Sequence, residues 1–520
     1  RSGAFGPRLG WSRRVKRGVA RLAPGFGRYL SVYVRFRMKT QTNGRFHICD
    51  RSVPVPMRIF SHGHENLFSW ARESRLFVTS RGRTGQGSSP VCAKYPLLPS
   101  VLLSIPRVDL PRVSHDREYF SPTFRIPRFA SFWYNRGMDK KLRYAMVGGA
   151  ANSFIGPVHR MAVRMDNLAE LAAGCFSRKP DVNARTAAAL GIEPARTYAD
   201  WRALLAAERG KIDFVAVCTP NDSHYEIAKA ALEADLDVMC EKPLALTCAE
   251  ARDLARLASA RKRILAIPFS YTGYSMVKAA RALVRDGELG TLDKIVLEYV
   301  QGSFRKIDFT KPLTGHNIWK MDPRVSGPSC VVADIGVHAF NLIEYVTGLE
   351  TETLLADLSS YAPGNTLDDD ASILMRFKGG AKASVVVSKI ATGEENGMRL
   401  RVYGDKASLY WNQEEPNVLS VKYPFGPERI YKRKAPYMQA VSPDSVAAAR
   451  IPAGHPEGFI EAFATIYDNF CKAVRTRQAG DFPSAAEGVR SMRFVEAALA
   501  SNAAGNRWEP FEADEKRPIG

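Results

Sequence analysis

The tightest constraint on what this chain can fold into is one short segment. Leu142 to Val147 (LRYAMV) is a mostly apolar run that passes directly into Gly148-Gly149-Ala150-Ala151-Asn152-Ser153-Phe154-Ile155-Gly156, and Pro157 follows. A short apolar run ending at glycines reads as a buried strand, and proline suits the first turn of a helix. The same rhythm continues with a strand over 168–176, helices over 180–190 and 199–208, a strand over 212–218, a helix over 223–234 and a strand over 236–240. Strands alternating with helices in this way predict a doubly wound, parallel α/β sheet.

Small residues in the turn let backbone amides approach a pyrophosphate, and the helix N-terminus offers free N–H groups and a positive dipole end. Gly148, Gly149, Ala150, Phe154 and Ile155 are therefore expected to hold a dinucleotide. The positions of the G-x-G-x-x-G fingerprint are filled by Gly148, Ala150 and Ser153, so two glycines are replaced by other small residues. Where the second strand ends, an acid would bind a ribose diol and an arginine would accommodate a 2′-phosphate. Ser177, Arg178 and Lys179 stand there, with no acid before Asp181. This favours NADP over NAD as the cofactor.

Beyond Pro268 the pattern changes. Strands are expected over 293–304, 351–359, 371–377, 381–389, 398–403, 407–411 and 418–423, with helices over 276–286, 330–346, 456–475 and 485–500. These predict a second, α+β domain with a large, mostly antiparallel sheet. The chain thus divides into 1–137, a basic extension; 138–267, the dinucleotide-binding domain; and 268–510, the second domain.

Charge follows the same division. The chain carries a formal +21, but residues 1–137 hold 22 Arg and 3 Lys against only 6 acids, which is +19 of that total. The remainder is close to neutral, so a nucleic-acid role does not follow for the part that looks folded. The extension is expected to be disordered or non-native, with Met138 as the true start; an arginine-rich transit peptide and a basic arm are the alternatives. No apolar run approaches the ~20 residues of a membrane helix. Eight scattered cysteines form no C-x-x-C pair. Reduced thiols are expected, with no metal site and a cytoplasmic location.

Two further segments sit at predicted strand ends, where open parallel sheets bind ligands. Thr219-Pro220-Asn221 leads to His224, and Glu241-Lys242-Pro243 follows the next strand. Downstream, Asp334 and His338 flank Gly336. A spacing of four puts Asp334 and His338 on one face of a helix, and Gly336 leaves room for a ligand or backbone to approach. With the T-P-N-x-x-H, E-K-P and D-x-G-x-H segments in this order, the sequence resembles the Gfo/Idh/MocA family of nicotinamide-dependent oxidoreductases, over about 370 residues. The resemblance implies a Rossmann domain followed by a domain whose open sheet forms subunit contacts, hence a homo-oligomer, dimer or tetramer. It implies that Lys242, Asp334 and His338 form the catalytic group.

The residue chemistry agrees with that assignment. A histidine of ordinary pKa suits removal of a hydroxyl proton, and a lysine ammonium stabilises charge developing on the same oxygen. Asp334 would orient the substrate or balance Lys242. Thr219, Pro220, Asn221, His224, Glu241 and Lys242 are expected around the cofactor, and Trp319 and Lys320 beside the substrate. The expected reaction moves a hydride between nicotinamide and a secondary alcohol of a sugar, polyol or related ring. A nicotinamide-dependent glycosidase and a catalytically silent sugar or nucleotide sensor are the alternatives.

Overall fold

The structure, a computed structural model, describes residues 29–42 and 45–58 by their backbone, and residues 140–308 and 318–511. The chain forms two compact units, Arg1–Phe120 and Ser121–Gly520. In the first, β1 (Tyr29–Thr42) pairs antiparallel with β2 (Arg45–Arg58), in register from Tyr29 opposite Arg58 to Thr42 opposite Arg45. Composition alone did not lead to this hairpin. Its signals are the alternation of Val32, Val34, Phe36 and Met38 and the Asn43-Gly44 pair between the strands. The rest of the expected extension lies outside the described residues.

The second unit opens with a five-stranded parallel sheet. Its strands are β3 (Leu142–Gly148), β4 (Ala169–Cys175), β5 (Phe214–Cys218), β6 (Asp237–Cys240) and β7 (Leu265–Ala266), in the order β4-β3-β5-β6-β7. Every residue of β5 and β6 is buried, which is why they read as continuous apolar runs rather than alternating ones. The chain runs outward from β3 to β4 and then crosses back to β5. A crevice therefore opens beyond the carboxyl ends of β3 and β5, where this class of sheet binds ligands. Helix α1 (Ile155–Met165) leaves the glycine turn, and α2 (Cys248–Ala260) joins β6 to β7. The sequence reading missed α2, although Thr247 and Glu250 form the reciprocal capping box that marks its start.

The nine-stranded sheet that follows is antiparallel except for β8 (Leu292–Val300) against β11 (Lys382–Ser388). In β10 (Asp370–Phe377), Ala371, Ile373, Met375 and Phe377 are buried while Ser372, Leu374 and Arg376 are exposed, the pattern of a sheet covered on one face. The covering helices are α3 (Val337–Thr347) and α5 (Ala485–Ala503). Between them in the chain, α4 (Phe459–Thr476) returns to the parallel sheet. There Phe463, Tyr467 and Phe470 share a core with Tyr144, Val158 and Phe214. Burying each large side chain is worth roughly 1.5–3 kcal/mol.

Candidate active site

The glycine turn is built by steric necessity. Gly148 has φ +79°, and a Cβ there would lie 2.4 Å from the Cys218 carbonyl oxygen of the neighbouring strand. A Cβ on Gly156 would lie 2.4 Å from the Gly149 backbone, so the turn and the first turn of α1 pack without side chains between them. The departure at Ser153 has a use, since its Oγ accepts the Gly156 N–H at 3.2 Å. Ala150 is buried. Phe154 and Ile155 line the cleft beside the start of α1. Ser177 and Arg178 sit in the loop after β4, and Ser177 Oγ accepts the Lys179 N–H at 3.1 Å.

That cleft has a volume of about 540 Å³. It brings together Thr219, Pro220, Asn221, Glu241 and Lys242 from the parallel sheet with Trp319, Lys320, Asp334 and His338 from the second half. Lys242 Nζ donates to the Asp334 carboxylate and to the Asp334 carbonyl, each at 2.6 Å. Asp334 Oδ2 also accepts from Lys320 at 2.9 Å and from Lys389 at 2.5 Å. Burial acts to raise the Asp334 carboxyl, but Lys242, Lys320 and Lys389 hold it well below the usual carboxylate range. Burial pushes the Lys320 ammonium below its ordinary value, with Lys389 and Lys242 adding to the effect and Asp334 opposing it.

His338 is enclosed by rings. Tyr271, Phe269 and Tyr299 stand edge-on at 5.1, 5.6 and 6.3 Å between centroids. Its Nδ1 is buried without a hydrogen-bond partner. The expected ordinary pKa does not hold. Burial, then the Lys242 charge, lowers it well below 6.5, against a smaller opposing effect of Asp334. His338 is therefore neutral at neutral pH.

The helix expected over 330–346 also differs. Val332–Gly336 forms a π-helical turn, and the α-helix begins only at Val337. Such turns widen the helix and recur at functional sites. Asp334 and His338 still reach one cleft, across the π-turn rather than along a regular face. Gly336 does not make room for a ligand; a Cβ there would lie 3.3 Å from Val332 and 3.5 Å from the Phe494 ring. Asp368 anchors the turn by accepting the N–H groups of Cys330, Val331 and Val332, each at 2.9 Å.

His224, expected at the cofactor, lies behind the cleft. Its ring nitrogens meet the Pro243 carbonyl at 2.7 Å and the Thr219 carbonyl at 2.9 Å, which ties the E-K-P and T-P-N turns together. Asn221 Nδ2 donates to the Ser326 carbonyl at 3.0 Å and so joins the parallel sheet to the segment before the π-turn. Glu241 is held from below. His159 Nε2 meets its Oε1 at 2.7 Å, and the other ring nitrogen meets the Tyr467 hydroxyl at 2.6 Å.

Sequence reasoning missed His159, Lys389 and the amide-rich wall opposite. In that wall Gln301 Nε2 donates to Asn396 Oδ1 at 2.8 Å, and Asn396 Nδ2 donates to Gln413 Oε1 at 3.1 Å. None of these belongs to a short motif; His159 comes from α1, and Gln301, Lys389, Asn396 and Gln413 come from loops at separate strand ends. The residues present fit a dinucleotide: a cradle without side chains, a helix start beside the cleft, and a buried Thr219 hydroxyl on the cleft wall with no partner.

A parallel dinucleotide-type sheet, a cleft at its switch point and a lysine–aspartate–histidine group define a nicotinamide-dependent oxidoreductase. Comparison with known proteins gives the family. Residues 142–269 match the oxidoreductase family with an NAD-binding Rossmann fold, and residues 277–410 match the GFO/IDH/MocA C-terminal domain. The chain is 32% identical to the uncharacterized oxidoreductase YfiI of Bacillus subtilis, covering 72% of this chain and 98% of that one. It is 26% identical to levoglucosan dehydrogenase of Pseudarthrobacter phenanthrenivorans, covering 71% of this chain and 98% of the relative. An inositol dehydrogenase homolog from Azotobacter vinelandii, solved with NAD+, superposes with a TM-score of 0.67 at 34% identity, over 71% of this chain and 97% of that one. The chain belongs to the Gfo/Idh/MocA oxidoreductase family.

Proposed function

We propose that this oxidoreductase moves a hydride between nicotinamide and a secondary alcohol of a sugar or polyol. The observation that carries the reading is the meeting of Lys242, Asp334 and His338 in one cleft faced by the Gln301–Asn396–Gln413 amides. Amide side chains both donate and accept, which suits a ring bearing several hydroxyls. A relative of the same family was solved with NADH and myo-inositol.

Bound nicotinamide would supply the hydride acceptor. In the oxidising direction, neutral His338 takes the hydroxyl proton on Nε2, and the Lys242 ammonium donates to the same oxygen as its charge develops. Asp334 holds Lys242 in place through its carboxylate and its carbonyl. Ser177, Arg178 and Lys179, with no carboxylate among them, support NADP at the ribose end, whereas the Azotobacter relative was solved with NAD+. We place the enzyme in the cytoplasm as a homo-oligomer, a dimer or tetramer. Among the described residues no helix is long and apolar enough to cross a membrane, and the six cysteines are buried and free. Leu374, Val386, Tyr403 and Tyr410 are exposed on the open sheet and offer a surface for a second copy.

A panel of polyols and sugars with NAD and NADP, followed by absorbance of the reduced cofactor, tests the reading. Substrate-dependent reduction supports it. Hydrolysis of a glycoside without net reduction would assign the chain to the glycosidase alternative.

A further inference from the structure

Three ammonium groups converge on one carboxylate in the cleft. Lys242, Lys320 and Lys389 all bond Asp334, and their side chains are 15%, 25% and 3% exposed. The nearby acids are already engaged. Glu241 is paired with His159, and Asp368 is taken by three backbone N–H groups and the Ser329 hydroxyl. Each ammonium has three donors. Lys320 places one on Asp334, and Lys389 bonds the same carboxylate oxygen. Positive charge that is removed from water and incompletely paired is costly unless an anion completes it. Lys320, the most exposed of the three, lines the cleft.

We propose that the substrate is an anionic polyol, a ring or chain of hydroxyls bearing a carboxylate or phosphate, whose charge is received by Lys320 with Lys389 behind it. The proposal rests on the dehydrogenase reading for the position of the reacting hydroxyl. It adds that a second, charged end of the substrate sets the pose, leaving Lys242 and His338 for the alcohol. Lys389 acts as a positioning residue: by occupying Asp334 Oδ2 it leaves the Lys320 ammonium incompletely neutralised.

The test compares matched probes: D-glucose, D-glucuronate and D-glucose 6-phosphate, and myo-inositol with its monophosphate. Two readouts are taken, kcat/KM with NAD or NADP and calorimetric binding in the presence of the oxidised cofactor. The expected preference for the anionic member of a pair is about tenfold or more, as for one charge-assisted hydrogen bond. Lys320→Met and Lys320→Gln should remove that preference, lowering the anionic member of each pair by about tenfold more than its neutral partner. The carboxylate and phosphate arms tell which anion is taken. Equal treatment of neutral and anionic probes in both readouts, with both variants affecting them alike, would overturn the proposal and leave the dehydrogenase reading standing. If no probe is oxidised, the dehydrogenase reading fails, and calorimetry with the same probes still decides whether the cleft selects anions.

Discussion

Two buried histidines belong to the surroundings of Lys242, and their own neighbours drive them in opposite directions. His159, on α1, has no exposed surface and is held by Glu241 and Tyr467. Burial acts to lower its pKa, but Cys218 and Glu241 raise it to about 10. His338 is enclosed by aromatic rings and faces ammonium groups, so burial and Lys242 lower it far below 6.5. The same side chain becomes a fixed cation on one wall and a neutral base on the other. What differs is the sign of the nearest charge, not the degree of burial. His159 is built to hold the E-K-P turn still, since Glu241 Oε2 accepts the Lys242 N–H at 3.1 Å. His338 is the group proposed to exchange a proton.

The largest effect that tests this contrast is on turnover. His338→Gln should lower kcat by roughly 10²–10⁴, the range for losing a positioned acid–base group, with little change in thermal midpoint. Steady-state kinetics beside a melting curve separate the two. A variant that keeps wild-type kcat would remove His338 from the chemistry.

Lys242→Ala comes next, with a loss on the order of 10² in kcat from the missing donor. It also carries a sharper signature. Lys242 is one cause of the low His338 pKa, so its removal should move the acid limb of the kcat/KM profile toward higher pH. An acid limb that stays put would mean that burial alone sets His338.

His159→Gln should chiefly cost stability, about 3 kcal/mol, because it leaves Glu241 buried without its cation. The two histidines should also shape the pH dependence of stability on opposite flanks. His159 has a raised folded pKa, so its contribution is complete below about 6.5 and is lost as pH climbs through about 10. His338 has a lowered one, so stability falls as pH drops below 6.5, where the unfolded chain takes up the proton that the folded chain refuses. Denaturant melts across pH should show His159→Gln flattening the alkaline flank and His338→Gln flattening the acid one. If both variants alter the same flank, the contrast is wrong.

The two walls also differ in how much the sequence revealed. Four strands of the parallel sheet were legible because they are largely apolar runs, with ligand turns directly after them at Gly148 and Lys242; the two-residue β7 was not. His338 and Asp334 were legible as a spacing, but their helix was misjudged, because the π-turn depends on Asp368 reaching back from the loop before β10. His159, Lys389 and the Gln301–Asn396–Gln413 wall were not legible at all. Their partners lie 55 to 308 residues away in His159–Tyr467 and Lys389–Asp334, and no local pattern encodes such a pairing.

The smallest expected effect lies farthest from both histidines. The loop after β4 carries Ser177, Arg178 and Lys179 and no acid, so Arg178 is the group proposed to receive a 2′-phosphate. Losing one charge-assisted hydrogen bond is worth about tenfold in affinity, so Arg178→Ala should weaken NADP by about that factor and leave NAD nearly unchanged. Because the loop touches neither His159 nor His338, the acid limb of the pH profile and the alkaline stability flank should both be preserved in this variant. Equal weakening of the two cofactors would end the NADP assignment. A shifted pH profile would show instead that the ribose end is coupled to the proton-exchanging wall, and the two walls would then have to be treated as one electrostatic unit.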